Sequence, residues 1–453
     1  MEVDIAIIGA GLTGLTTGFH LTRRNKDIVI LERANRVGGQ IHSFQKNGFV
    51  YESGPNTGVV SYPEVAELFQ ALGETCTLET AHEEAKKRLI WKGNRFHALP
   101  SSLASAIATP LFSWYDKFRI LGEPFRAKGT NPDESVGELA ARRLGKSFVN
   151  YAVDPFLSGV YAGDPMNLTT RYALPKLYNL EQNYGSFIKG SIAKAKQPKT
   201  ERDKLATKKI FSVKGGLENL TQALAEKIGK ERIITGAQAI QILPTQEGKW
   251  QLTYHTAAGE QHMLANKVVT TTGAYSLPAL LPFVEAADMQ KISSLHYAPV
   301  IQVSVGVRLA DTDKYRAFGG LVPSCEHRNV LGILYPSACF DGRSPEQGVL
   351  FSFFIGGVRH PEMLEKTDEE IKELVRKDFH EMLKFDAQVQ PDLIEIFRHK
   401  TAIPQYRIDS GERLATVDKL QQQYPGLIIA GNLRDGIGMA DRIRQGTTIG
   451  ISL

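Results

Sequence analysis

Cysteine is scarce: Cys76, Cys325 and Cys339 are the only three in 453 residues. Their number is odd and none shows Cys-x-x-Cys spacing, so neither a disulfide framework nor a thiolate metal site is expected, and a reducing cytoplasm fits best. Histidines such as His42, His82, His97 and His360 are scattered without ligand spacing, and no metal is expected. No uncharged run reaches the roughly 18–20 residues of a spanning helix. The apolar N-terminus has no basic leader and carries Asp4, so it reads as a strand rather than a signal peptide. Low-complexity tracts and solenoid repeats are absent as well. The net charge of +5 is mild, and nothing resembles a nucleic-acid module; such a balance suits anionic substrates or an acidic membrane surface. With 42% hydrophobic and 23% charged residues, the chain is a folded protein with room for two or three domains.

What is present begins at once. Asp4–Ile8 reads as a buried strand, Gly9-Ala10-Gly11-Leu12-Thr13-Gly14 as a Gly-x-Gly-x-x-Gly turn, Leu15–Arg24 as a helix and Ile28–Leu31 as a second strand ending at Glu32. Gly9 permits the tight turn, Gly11 the close approach of a pyrophosphate, and Gly14 close packing of helix on strand. The helix N-terminus offers free N–H groups to phosphate, and Glu32 is placed to accept from a ribose. A dinucleotide site is expected.

After Arg33 comes a second glycine turn, Arg36-Val37-Gly38-Gly39-Gln40, able to fold back toward the pyrophosphate. No second complete fingerprint exists for NADPH, so electrons are expected from an organic substrate. Further along, Lys214-Gly215-Gly216-Leu217 leads into a helix to Ile228, and short strands follow near Ala237–Leu243, Trp250–Tyr254 and Lys267–Thr272. Strand Leu427–Ala430 runs into Gly431-Asn432 and Asp435-Gly436-Ile437-Gly438-Met439, then into a last helix that looks short. Between these pieces, residues 101–205 read as helices; Ser135 is a plausible N-cap with Glu138 completing a capping box. Residues 277–403 hold strand-like runs at Val300–Val307, Val330–Tyr335 and Val349–Ile355, followed by an amphipathic helix at Asp368–Leu383.

The glycine extension resembles the FAD-binding amine-oxidase-like flavoproteins. A more specific likeness rests on Asp154-Pro155-Phe156-Leu157-Ser158-Gly159-Val160-Tyr161-Ala162-Gly163-Asp164-Pro165, Gly215-Gly216-Leu217, Ile403-Pro404-Gln405-Tyr406 and the C-terminal glycine segment. In order and spacing these resemble the oxygen-dependent protoporphyrinogen oxidases over the whole chain. The resemblance implies an α/β fold with three parts. A discontinuous Rossmann-like FAD domain would take 1–80, 206–278 and 404–453, an α+β substrate domain 81–98 and 279–403, and a helical, membrane-facing domain 99–205. FAD would be bound without a covalent link, since no cysteine follows Cys339. Its contacts would fall on Gly9, Ala10, Gly11, Leu12, Thr13, Gly14, Glu32, Arg33, Gly39 and Gln40. Others would be Gly54, Pro55, Asn56, Thr57, Ala239, Gly431, Asn432, Ile437, Gly438 and Met439.

The activity implied is oxidation of protoporphyrinogen IX to protoporphyrin IX in haem biosynthesis, in three two-electron flavin cycles, with oxygen (giving peroxide) or a quinone as acceptor. Relatives acting on coproporphyrinogen III share most of these motifs and supply the alternative substrate. The chemistry would lie on FAD, with no catalytic side chain. By the same resemblance Leu321 and Leu334 would sandwich one ring and Phe354 would stack on another. The Gly159 carbonyl would accept pyrrole N–H bonds, and Arg88 or Lys92 would pair with a propionate. Family members are often homodimers and peripheral on membranes. The stretch Leu99–Lys128 mixes Leu103, Ile107, Leu111, Phe112, Trp114, Tyr115, Phe118, Leu121 and Phe125 with cations, as an element lying on the inner face of a cell membrane would. Other flavin amine oxidases, which want an aromatic pair by the flavin, and flavin-free chaperones of this architecture, which lose the fingerprint, are the rival readings.

Overall fold

A computed structural model describes residues 1–453. The first strand, β1 (Glu2–Ile8), is buried on both faces: Ile5 and Ile7 point into one apolar core, Val3, Ala6 and Ile8 into another. Such two-sided burial is what a run without polar alternation demands, and it requires parallel neighbours covered by helices. β1 pairs in parallel with β2 (Ile28–Leu31) and with Gly259–Thr270, whose far end pairs in parallel with Leu427–Ile429. The near end of Gly259–Thr270 pairs antiparallel with Trp250–Thr256, which pairs with Gln238–Pro244. Segments from three distant parts of the chain thus share one sheet. Helices α1 (Leu12–Thr22), Glu218–Ile228 and Met439–Ser452 pack on one face; Leu277–Leu280 and Ala286–Ser293 pack on the other.

A second seven-stranded sheet runs in the order Leu393–Pro404, Tyr297–Val307, Val349–Gly356, Val330–Leu334, Gly319–Leu321, Arg88–Lys92, Arg95–Ala98. Helix Asp368–Leu383 covers one face with Ile371, Val375 and Phe379, spaced four apart. A capping box between Thr367 and Glu370 starts that helix. Each of these buried side chains contributes roughly 1.5–3 kcal/mol. The other face takes the hairpin Ser43–Lys46/Phe49–Glu52 at Leu350 and then looks toward the helical segment.

Helices from Leu103 to Lys204 form that segment. Ser135 and Glu138 make the expected capping box on Val136–Arg143. The chain from Lys146 contains a π-turn at Val149–Val153 before helix Asp154–Tyr161, a local widening common near functional sites. Fully buried Arg143 holds it together, donating through Nε to Glu123 at 2.6 Å and through Nη1 to Glu181 at 2.7 Å. Two expectations need correcting. The last helix is not short: it spans 14 residues, because Gly446 and Gly450 let it lie close against α1. Leu111 and Phe112 are buried rather than on the surface, Phe112 stacking on Phe148 at 4.0 Å.

Candidate active site

A cleft of about 650 Å³ opens along the C-terminal edge of the parallel strands, where β1, β2 and Gly259–Thr270 end. Ligands of open α/β sheets bind at this edge. Gly9, Gly11, Leu12, Thr13, Glu32, Arg33, Gly39 and Gln40 line it, together with Pro55, Ala239, Gly431, Asn432, Ile437 and Met439. The other expected residues stand behind the wall. Ala10 is fully buried and donates its N–H to Glu32 Oε2 at 2.7 Å. A β-carbon on Gly14 would overlap the Gly9 carbonyl, and one on Gly54 the Gln40 carbonyl, so both act through close packing. Asn56 accepts from Ser352 Oγ at 2.8 Å and ties its loop to the second sheet; Thr57 precedes the short strand Gly58–Val59; Gly438 caps the last helix.

Four local observations fit a dinucleotide. α1 begins at Gly11 with no side-chain cap, leaving its first N–H groups for a ligand. A β-carbon on Gly11 would meet nothing within 4 Å, so its missing side chain leaves open space, and Gly39 approaches from across the gap. Thr13 Oγ1 is buried without a hydrogen-bond partner. Glu32 is preset by two backbone donors, Ala10 N and Ala34 N at 2.8 Å, with lone pairs left for a hydroxyl.

The structure adds residues that sequence reasoning missed. Thr271, Thr272 and Gly273 line the cleft because they directly follow strand Gly259–Thr270; a Thr-Thr-Gly end to a parallel strand was a readable signal. Thr401 arrives by a bulge: opposite Ala298 and Val300 the partners jump from Ile403 to His399, and the extra residues re-aim the strand toward the cleft. Tyr297 and Tyr406 hold Asn432, through its side-chain oxygen at 3.1 Å and its carbonyl at 2.7 Å. Burial pushes both phenols above the usual tyrosine range, so each stays a hydrogen-bond donor.

The residues expected at a substrate meet on the second sheet. Phe354 pairs with Gly332, and Gly332 with Leu321; one step along the strands, Ser352 pairs with Leu334, Leu334 with Gly319, and Gly319 with Arg88. Paired residues share a face, and positions two apart on one strand share it too. Leu321, Phe354, Leu334 and Arg88 therefore lie on one face in two adjacent rows. The three apolar residues are half-buried. Gly159 faces Leu321 from helix Asp154–Tyr161, and the N–H groups of Ala162 and Gly163 both bond Leu157, leaving the Gly159 carbonyl without a donor. Arg88 is exposed, its guanidinium 6.0 Å from the Phe318 ring and in no ion pair. Lys92 is engaged: Nζ donates to Leu111 O at 2.8 Å and Pro110 O at 3.3 Å and lies 4.3 Å from the Tyr151 ring. No group of side chains capable of holding a metal ion is found.

This fold and cleft define a flavin-dependent oxidoreductase, and the chain belongs to the flavin containing amine oxidoreductase family, matched over residues 12–447. Its cofactor is FAD. Among relatives, protoporphyrinogen oxidase 2 (chloroplastic/mitochondrial) of Arabidopsis thaliana is 28% identical, covering 98% of this chain and 92% of that protein. Human protoporphyrinogen oxidase is likewise 28% identical, covering 100% and 98%. A candidate protoporphyrinogen oxidase from Exiguobacterium sp. 255-15 shares the fold, with a TM-score of 0.81 at 21% identity over 99% of this chain and 98% of that one. Cyclohexylamine oxidase from Brevibacterium oxydans IH-35A shares it at 0.69 and 13%, over 100% and 98%.

Proposed function

We propose that the enzyme oxidises a porphyrinogen: protoporphyrinogen IX as the first reading, coproporphyrinogen III as the alternative. The observation that carries this is end-to-end similarity to protoporphyrinogen oxidases, covering nearly all of both proteins. The two rows on the second sheet support it, since a large apolar macrocycle with carboxylate arms needs aliphatic and aromatic walls and a cation. Bound FAD supplies a two-electron acceptor, so three turnovers remove six electrons and six protons while three oxygen molecules become three of peroxide.

The chain's own residues position and shield. Leu321, Leu334 and Phe354 exclude water from the macrocycle. The free Gly159 carbonyl accepts a pyrrole N–H, and Arg88 rather than the occupied Lys92 pairs with a propionate. Gly9–Thr13, Glu32, Arg33, Gly39, Gln40, Pro55, Ala239, Gly431, Asn432 and Ile437–Met439 hold the cofactor. No cysteine lines the cleft, which supports a non-covalent flavin. The test supplies both porphyrinogens, first without and then with oxygen, following porphyrin fluorescence and peroxide. Porphyrin with about three peroxides each supports the reading. Peroxide without porphyrin overturns it, and anaerobic turnover with a quinone identifies the other acceptor.

A second proposal concerns a lipid surface. No helix is long and apolar enough to cross a membrane. Helices Leu103–Ala108 and Trp114–Leu121 nevertheless bury none of their residues, and Leu103, Trp114, Tyr115, Phe118, Leu121 and Phe125 are 61–87% exposed. An exposed apolar group of this size marks an interaction surface. Peripheral contact predicts flotation with anionic liposomes; protein remaining at the bottom of the gradient refutes it.

A further inference from the structure

Arg442 lies one turn into helix Met439–Ser452, buried, in the wall of the cofactor cleft. Its hydrogen-bond partners are all neutral oxygens: Gln445 Oε1 at 2.9 Å, Arg434 O at 2.8 Å and Gly436 O at 2.9 Å. Its Nε–H has no partner, and no carboxylate pairs with it. Burial disfavours its charge and lowers its pKa from the usual arginine value, but a guanidinium does not give up its proton in a protein. A buried cation without a counter-ion is costly to the apoprotein unless a ligand supplies negative charge.

The carbonyls that hold the guanidinium belong to the turn leading into Ile437–Met439, where Asp435 (φ 64°) and Gly436 (φ 99°) take left-handed backbone. The Tyr406 hydroxyl, whose proton is shared between the Asn432 carbonyl and this Gly436 carbonyl, lies 3.0 Å from the latter, and Gln445 bridges from Arg442 to Asp435 Oδ2 at 2.7 Å. The cation is thereby immobilised. Two carboxylates lie near without pairing with it: Asp441, its neighbour on the helix, accepts from Gly438 N–H at 3.0 Å, and Asp435, one hydrogen bond removed, is exposed, solvent-screened and 3.6 Å from Arg434 Nε.

We propose that Arg442 is a fixed positioning cation that favours the more negatively charged, two-electron-reduced state of the bound flavin and so sets its reduction potential. This rests on the flavin family, independently of which substrate is oxidised.

The test equilibrates purified holoprotein with redox dyes of known potential. Arg442→Gln is expected to lower the two-electron reduction equilibrium at least about tenfold, roughly 30 mV. Arg442→Lys, which keeps the charge, is expected to stay within about threefold of the unaltered protein (~0.65 kcal/mol). Asp435→Asn removes the screened anion while keeping an amide oxygen for Gln445, and asparagine tolerates positive φ; it is expected to shift the equilibrium the opposite way, upward. A glutamine variant at the unaltered potential overturns the proposal. So does a lysine variant that shifts as far as glutamine, since arginine would then only tie down the turn. Where Arg442→Gln releases its flavin, Asp435→Asn decides: an unchanged or lowered equilibrium refutes the role.

Discussion

Leu321 fills the space that a β-carbon on Gly159 would need, at the meeting of helix Asp154–Tyr161 with strand Gly319–Leu321. Gly159→Ala therefore has to move the leucine or tilt the helix. The expected result is a fall in kcat/KM of about tenfold, ~1.4 kcal/mol, with flavin content unchanged. Pairing it with Leu321→Ala should recover part of the loss. Steady-state kinetics with porphyrinogen reads both, and an unaffected single variant would remove Gly159 from the substrate wall.

The glycines of the first turn separate by what surrounds them. A β-carbon on Gly11 meets open space, whereas one on Gly14 strikes the Gly9 backbone. Gly11→Ala should fold normally and weaken FAD by about ten- to a hundredfold, ~1.4–2.7 kcal/mol. Gly14→Ala should be unstable as well as colourless. Flavin titration of apoprotein and thermal melting distinguish the two outcomes.

Arg88 and Lys92 share one strand and one face but not one fate. Removing Arg88 should raise KM for a dicarboxylate porphyrinogen, the loss of a charged hydrogen bond costing about 1.5–3 kcal/mol. Removing Lys92 strips the Pro110 and Leu111 carbonyls of a donor. That should lower stability by about 1 kcal/mol and leave KM in place. A higher KM for Lys92→Ala alone would reverse the assignment.

Glu52 gives the fold a pH dependence. Burial raises its pKa to about 7, although Leu217 N–H and Ser43 Oγ–H both donate to it. With the folded value above the unfolded one, the folded state binds more protons in between. Its contribution is thus present below about pH 4.5 and lost as pH rises to about 7, some 3 kcal/mol at most. Glu52→Gln should flatten urea-unfolding stability between pH 5 and 8 (a range of about two to three units around that titration). An unchanged slope would mean that other groups set it.

Local features were legible in the residue order. The first glycine turn, the Ser135 cap and helix Asp368–Leu383 follow from spacing, because each is decided by neighbours within a few residues, although α1 starts at Leu12 and ends at Thr22 rather than running from Leu15 to Arg24, so Gly14 lies inside it. The face proposed for the substrate was not legible in that way. That Arg88 shares it with Leu334 through Gly319 depends on register between strands more than 200 residues apart, a property of the assembled sheet. Thr401 was missed because a bulge, not a motif, delivers it. Lys92 and Arg88 look equivalent as letters; only packing of the Pro110–Leu111 backbone shows that one is occupied.

The parallel sheet is closed by a strand at Leu427–Ile429, and the helix after it lies along α1. Gly431, Asn432, Ile437, Met439 and Arg442 line the cleft opposite the nucleotide turn, so removing 427–453 is expected to leave that turn facing an open side that holds flavin only weakly.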